Sequence, residues 1–331
     1  MNTMQAAFYE RTGPAREVLQ WGELPCPEPA PGEVRVRLQW SGVNPSDVKS
    51  RAGLRSSVMP FARVVPHSDG MGVVDAVGAG VDAARLGQRV WLWNAAWGRA
   101  FGSAAQFVCL PQRQAVPLAD EVPGDVAACF GIPALTALHA VLVDGGVAGK
   151  QVLVAGGAGA VGHYAVQFAR LLGAAQVLTT VSSAAKADSA RAAGADTVID
   201  YKTENVAERV RAATQGHGVD RIVEVDIAGN GLLDIELLRP GGECVVYGSG
   251  AGQFTLPFFP MIAKHVGLRC FVVYSLADVD RARAEVLLTR LLARGALQHQ
   301  IAARLPLARI ADAHELVESG RTLGNVVLAV D

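Results

Sequence analysis

The period of the apolar positions along this chain changes once, near residue 126. Before that point Val34–Trp40 alternates, with Val34, Val36 and Leu38 apolar and Arg35, Arg37 and Gln39 between them, as a half-buried strand does. Gly72–Val81, GVVDAVGAGV, reads as a strand running into a glycine turn, and Gln88–Trp93 reads as another strand. Pro25, Pro27, Pro29, Pro31 and Gly32 make a stiff loop with few backbone donors. The pattern over residues 1–125 predicts a β-rich, barrel-like domain. After residue 126, short β-branched runs alternate with alanine-rich stretches of helical period. The predicted strands are Val152–Ala155, Val177–Val181, Thr197–Ile199, Arg221–Val225, Cys244–Tyr247 and Leu268–Val273. The predicted helices are Val161–Leu172, Lys186–Ala193, Asn205–Ala213 and Leu232–Leu238. Such intervals imply an α/β fold with a parallel sheet covered on both faces. Right-handed crossovers then wind the sheet doubly and leave its ligand at the carboxyl ends of the strands. Val126–Val143 carries no Asp, Glu, Lys or Arg and predicts a buried helix. Asp280–Ala293 and Leu307–Ser319 predict a helical tail, and Asn325–Val330 a last short strand.

Composition narrows the class. The 331 residues are 50% hydrophobic and 18% charged, enough for a large core in about two domains. A formal net charge of −1 gives no electrostatic case for nucleic acid or an acidic membrane surface. Val126–Val143 is long enough to span a bilayer, but Gly131, Pro133 and His139 interrupt it. Glu10 and Arg11 precede any useful apolar stretch, so no signal peptide is read, and a soluble cytoplasmic protein is expected. Cys26, Cys109, Cys129, Cys244 and Cys270 form no close pair, which favours buried thiols over disulfides or metal.

The candidate chemistry starts at Gln151–Arg170, QVLVAGGAGAVGHYAVQFAR, where a β-branched run meets Gly157-x-Gly159-x-x-Gly162 and then a helical pattern. The glycines serve a tight turn, close backbone approach to a pyrophosphate and close helix–strand packing. Ala160 and Val161 open the helix, whose N–H groups and partial positive charge suit an anion. A carboxylate at the end of the second strand would select NAD. Thr180-Val181-Ser182-Ser183 stands there instead, with Lys186 beyond and no acid before Asp188. Two hydroxyls and a cation suit a phosphate and point to NADPH; Ser182 as a helix cap and Lys186 as a surface charge is the bland alternative, compatible with it.

With these residues read, the chain resembles the medium-chain dehydrogenase/reductase superfamily, and within it the zinc-independent quinone oxidoreductases related to zeta-crystallin. The resemblance is carried by Gly42-Val43-Asn44-Pro45-Ser46-Asp47, Arg51-Ala52-Gly53, Pro66-His67-Ser68-Asp69-Gly70-Met71-Gly72 and Val77-Gly78-Ala79-Gly80-Val81. It continues through Gly87-Gln88-Arg89-Val90, Pro133-Ala134-Leu135-Thr136-Ala137, the glycine turn, Gly194-Ala195-Asp196, Pro240-Gly241-Gly242 and Ala313-His314-Glu315-Leu316. Two departures stand out: Gln88 where the family has aspartate, and His67 and Met71 within its usual Pro-Gly-Ser-Asp-x-Ala-Gly run. The resemblance implies a GroES-like catalytic domain over 1–125, completed by 275–331, and a Rossmann NADPH-binding domain over 126–274. Where zinc-dependent relatives carry a cysteine and a histidine ligand, this chain has Asn44 and Ser68, and the structural four-cysteine cluster is missing, so no metal is expected.

By resemblance Asn44 faces nicotinamide and substrate, or else it closes a turn before Pro45. Thr136 is expected beside the nicotinamide, or bonded to its own helix. Lys49 either donates to the substrate oxygen or sits in solvent; His67 is either a proton donor or a satisfied core histidine. Tyr201 is expected near the 2′-phosphate or adenine, and Gly248 and Ser249 close to the cofactor. Phe271, Val272 and Val273 either flank the nicotinamide or serve the core, and Asn325 is a weaker candidate. Without a metal, hydride transfer to an already electrophilic quinone, carbonyl or alkene is easier than alcohol oxidation. The expected activity is therefore an NADPH-dependent reductase of such acceptors. An alkenal or enone reductase and a non-enzymatic NADPH-binding sensor are the rivals. A homodimer through the edge stretch Leu268–Tyr274 is expected.

Overall fold

The computed structural model describes residues 2–330. Through Pro133 the chain forms β1 (Thr3–Phe8), α1 (Ala15–Val18), β2 (Gln20–Pro25), β3 (Glu33–Val43), α2 (Pro45–Arg51), β4 (Asp69–Val77), β5 (Arg89–Leu92), β6 (Phe107–Pro111), β7 (Ala115–Pro117) and α3 (Gly124–Ala127). There follow α4 (Leu135–Leu142), β8 (Gln151–Val154), α5 (Ala160–Leu171), β9 (Gln176–Val181), α6 (Ala184–Ala192), β10 (Thr197–Asp200), α7 (Val206–Ala213), β11 (Val219–Glu224), α8 (Ile227–Leu237), β12 (Leu238–Val246), α9 (Phe258–Lys264), β13 (Gly267–Cys270) and α10 (Asp278–Ala293). The chain ends in β14 (Ile301–Pro306), α11 (Ile310–Glu318) and β15 (Asn325–Ala329). It divides into two compact units: the chain up to Pro133 together with that from His299 onward, and Ala134–Gln298. Among the described residues no helix is long and apolar enough to cross a membrane.

The first unit is a mainly antiparallel sheet of order β14-β15-β3-β4-β5-β7, with β6 on β3. Its long strand β3 carries the expected alternation: Val34, Val36 and Leu38 enter the core while Arg35 turns outward to Asp75 and Glu28. One flank of β3 pairs with β6 along Glu33–Arg37 and with β15 along Trp40–Val43. A single strand thus serves two neighbours on one side, which bends the sheet toward a barrel. The last two strands of the chain complete this sheet.

The second unit has six parallel strands in the order β10-β9-β8-β11-β12-β13. The order in which successive strands are added reverses between β8 and β11, the topological switch point where such sheets bind ligands. Its strands have apolar cores (Val152, Leu153 and Val154 in β8; Ile222 and Val223 in β11), as strands covered on both faces require.

Three expectations are corrected here. The stretch Val126–Val143 is not one helix: α3 ends, a π-helical turn follows at Phe130–Ala134 around Pro133, and α4 begins afterwards. Pro133 lacks the N–H that a continuous helix needs. The domain limits at 125 and 274 both fall too early. Asp125 pairs with Arg304 inside the first unit, while α10 packs on α4 in the second, burying Ala284, Leu288 and Leu291. The strand expected over Leu268–Val273 ends at Cys270, because Arg281 draws on the Val273 carbonyl at 2.6 Å and residues 273–275 form a 3₁₀ turn.

Arg221, wholly buried in β11, ties this unit together. Its guanidinium donates to the Ala140 and Val143 carbonyls at the end of α4 (2.9 and 3.1 Å) and lies 2.5 Å from Glu243 on β12. Replacement of Arg221 by Leu strips the α4 terminus of its donors. With the Glu243 end partly solvated, the expected loss is about 2–4 kcal/mol, read as a lower denaturant midpoint.

Candidate active site

At the switch point of the second unit, β8 ends in a turn that enters α5 through Gly159, with no side chain capping the helix. Gly156 opens the turn at φ 70°, a conformation glycine adopts freely, and its N–H donates to Thr180 Oγ1 at 3.1 Å. A Cβ on Gly157 would lie 2.0 Å from Thr179 Oγ1, and one on Gly162 would lie 2.1 Å from the Gly156 carbonyl oxygen. A Cβ on Gly159 would meet only that carbonyl, at 3.3 Å. Gly157 and Gly162 therefore allow the turn to pack, and Gly159 leaves the backbone open. Ala160 and Val161 follow as the first residues of α5, whose N–H groups no side chain caps and whose dipole is positive at this end.

The end of β9 brings the expected phosphate ligands together. Lys186 Nζ donates to Ser182 Oγ at 3.1 Å, and Ser183 caps α6 by accepting from the Lys186 N–H at 3.4 Å. The cap is Ser183 and not Ser182 as expected, and Ser182 instead accepts from the Lys186 ammonium. Tyr201, exposed after β10, donates its N–H to the Val181 carbonyl at 3.1 Å and so stands beside Ser182. No carboxylate occupies this strand end; Asp188, the next acid, is turned to Arg191 at 2.9 Å. Gly248 lies at the end of β12 with its Cα against the Val225 carbonyl, where a Cβ would be 2.2 Å away. Ser249 Oγ donates to the Ala251 carbonyl at 2.6 Å. Phe271 packs on His139 with ring centroids 4.6 Å apart, Val272 is exposed and Val273 is buried. Thr136 is buried in the first turn of α4.

In the first unit Asn44 ends β3 and starts α2. Asp47 accepts from its N–H at 2.9 Å, one arm of a capping box, and its side-chain amide donates to Asp69 Oδ2 at 3.0 Å. Asp69 Oδ2 also accepts from the Ile132 N–H at 3.1 Å. Burial pushes Asp47 up to about 7 against the opposing pull of the Asn44 N–H, and it holds Asp69 well above the usual carboxylate range. Lys49 is half-buried on α2. Asn325 donates its side-chain amide to the Gln300 carbonyl at 3.3 Å, and the register that sets Val326 opposite Val43 brings it alongside Asn44 at the end of β3.

Of the two readings of His67, proton donor or bonded core histidine, its surroundings match the second. It is fully buried, Nδ1 is 2.9 Å from Ser41 Oγ, and Nε2 is 2.9 Å from His314 Nε2. Burial pushes its pKa down to about 3, so the ring is neutral and holds no imidazolium proton to give to solvent or substrate. Its backbone is left-handed, at φ 76°, a strained state for a residue with a Cβ that costs about 1–3 kcal/mol. That conformation accounts for glycine in the corresponding family motif. His314 and Asp69 are the residues sequence reasoning missed; the Asn44-x-x-Asp47 capping spacing was a local signal for Asp47, and no local signal pairs residues 67 and 314. Asn44 offers an amide already bonded to Asp69, Ser68 replaces an imidazole, and among the described residues no three histidines, cysteines or acids are grouped to hold a metal.

Comparison with known proteins places these features in context. Residues 30–120 match the alcohol dehydrogenase GroES-like domain, and residues 160–289 match the zinc-binding dehydrogenase family model. The chain is 31% identical to a 2-haloacrylate reductase from a Burkholderia species, over 98% of both chains. It is also 31% identical to a quinone oxidoreductase of Pseudomonas aeruginosa, over 94% of this chain and 95% of the other. Among solved structures, an NAD-dependent alcohol dehydrogenase superposes with a TM-score of 0.90 at 31% identity, covering 99% of this chain and all of the other. A mycobacterial protein in complex with NADPH superposes at 0.88 and 30% identity, covering 98% and 99%.

Two outcomes are expected from this geometry. Gly162→Ala lowers the thermal midpoint sharply, since backbone must shift to admit the new carbon, whereas Gly159→Ala folds with little loss and forfeits the additional stability conferred by an added nicotinamide dinucleotide. The folded protein holds the Asp47 proton more tightly than the unfolded chain. The contribution of Asp47 to stability is therefore fully present below about pH 4 and falls by up to about 4 kcal/mol as pH rises toward 7. Asp47→Asn flattens that fall in urea unfolding curves recorded across this range, leaving the part due to Asp69.

Proposed function

The chain belongs to the medium-chain dehydrogenase/reductase superfamily, in its quinone oxidoreductase-like group, and from that membership we propose an NADPH-dependent reductase that transfers hydride to quinones or other activated carbonyl and alkene acceptors without zinc. The observation that carries the reading is the Ser182–Lys186 contact beside the Ser183 cap, at the strand end where NAD-selective folds place a carboxylate. The similar solved structures include both an NAD-dependent and an NADPH-bound protein, so the preference for the 2′-phosphate rests on these three residues.

When bound, the dihydronicotinamide supplies the hydride, and the chain supplies binding, orientation and polarity. The backbone from Gly157 through Gly162, with Ala160 and Val161, takes the pyrophosphate; Ser182, Ser183 and Lys186 take the 2′-phosphate, with Tyr201 beside them. Thr136, Gly248, Ser249, Phe271, Val272 and Val273 are assigned to the cofactor within the second unit. In the first unit, Asn44 is assigned to the acceptor: its carboxamide is held by Asp69 and carries a second N–H for a developing oxyanion. Lys49, half-buried one turn along α2, is the accessible cationic donor, in place of the buried His67. Asn325 receives no catalytic role. An activated alkene is as suitable an acceptor as a quinone on this reading, and the 2-haloacrylate reductase relative favours including it.

The partner proposed for the assembled protein is a second copy. β13 is a sheet edge with Leu268 exposed, and Phe258 and Phe259 of α9 expose large apolar surface in the same unit. A cytoplasmic setting accords with five unpaired cysteines.

Steady-state oxidation of NADPH with a panel of quinones and 2-alkenals tests the reading. Turnover is expected, with NADPH preferred over NADH. Lys186→Ala should raise KM for NADPH about tenfold and leave that for NADH unchanged, while Asn44→Ala should lower kcat instead. Binding of NADPH without turnover on any acceptor would support the sensor reading, and preference for NADH would overturn the cofactor assignment.

A further inference from the structure

Hydrogen positions along one buried run of side chains in the first unit follow from donor counting alone. Ser103 Oγ has a single hydrogen and faces the Asp69 carbonyl, which only accepts, so Ser103 donates there. The 3.0 Å contact between Ser41 Oγ and Ser103 Oγ is then donated by Ser41. With that hydrogen used, the 2.9 Å contact from His67 Nδ1 to Ser41 needs its proton on Nδ1. A neutral ring protonated at Nδ1 has a lone pair at Nε2, so His314 supplies the Nε2–H at 2.9 Å. The two ring planes are inclined by 21° with centroids 5.2 Å apart, consistent with an in-plane N–H···N bond. His314 Nδ1 is left as a bare acceptor, and it is the ring nitrogen without a hydrogen-bond partner. Ser41, His67, Asp69, Ser103 and His314 are all buried.

Charges around the run agree with two neutral imidazoles. Burial, the facing His67 and the Arg51 guanidinium on α2 all hold His314 well below its ordinary value. The Arg51 charge is directed at Glu318 of α11. The strained backbone at His67 persists because both ring nitrogens are bonded, a case of local strain held by its surroundings.

We propose that His314 and His67 are positioning residues: the chain from His314 through His67, Ser41 and Ser103 runs one way onto the Asp69 carbonyl and holds Asp69, whose carboxyl fixes the Asn44 carboxamide. This rests on the reading of Asn44 as the acceptor-facing residue. Because the run ends on a carbonyl that cannot pass a proton onward, it orients and does not conduct.

The test uses the full chain with ¹⁵N-labelled histidine and long-range proton–nitrogen correlation. His67 is expected protonated at Nδ1 and bare at Nε2, His314 the reverse, with no change from about pH 6 to 8. Inverted tautomers, or an imidazolium at either position in that range, overturn the assignment. His314→Leu removes the donor, and His314→Gln restores an N–H. Exchange of the Asn44 side-chain amide with solvent is expected about tenfold faster in the Leu variant, and kcat for NADPH oxidation with 1,4-benzoquinone about tenfold lower, with KM for NADPH unchanged. Both effects should reverse in the Gln variant. Ser103→Ala, which cuts the run at Asp69 and leaves both rings in place, should show the same two losses if the Leu variant does not fold. Wild-type exchange and kcat in these variants overturn the proposal. If the wild-type protein turns over no acceptor, the functional reading fails by itself, and the tautomers and Asn44 exchange still decide the positioning chain.

Discussion

No carbon fits between Gly162 and the Gly156 carbonyl, or between Gly157 and Thr179, and the second unit is organised by that closeness. The turn lets α5 start directly over the end of β8, so the helix lies against the sheet at the place where strand order reverses. Burial of Tyr164, Ala165, Phe168 and Ala169 follows, each large apolar side chain contributing about 1.5–3 kcal/mol. The same closeness leaves the start of α5 without a capping side chain. Close packing and the open helix start thus share one cause: backbone approaches backbone where no side chain intervenes.

The first unit solves a different problem, that of holding polar groups in a dry interior. Asn44, Asp47, Asp69, Ser41, Ser103, His67 and His314 are all buried, and buried polar atoms are costly unless bonded. Nearly every one of their polar atoms has a partner. Asp69 is shared between two networks, accepting Ser103 on its carbonyl and Asn44 with Ile132 on its carboxyl. Its unbonded Oδ1 lies against Gly131, where a Cβ would come within 2.4 Å. Burial and the neighbouring Asp47 both hold this carboxyl well above the usual carboxylate range, and Oδ2 accepts both of its bonds. A polar cluster satisfied in this way has little freedom to reorient, which suits a side chain that must meet a reacting group in one geometry.

The local signals in the sequence determined much. Alternation along Val34–Trp40, the strand–glycine–helix run at Gln151–Arg170 and the hydroxyls after β9 each depend on residues a few positions apart, and each is present where the period placed it. The two-domain α/β class followed from the same periods. What tertiary structure alone decided lies between distant residues. The role of His67 turned on His314, 247 positions away, and on Ser41, because burial and two bonded nitrogens made a neutral structural ring of a residue that resembles a proton donor. The limits of the units turned on α10 settling against α4 and on Asp125 meeting Arg304. Apolar period specifies that a face is buried, but not against what; the partner is chosen only when the chain closes on itself.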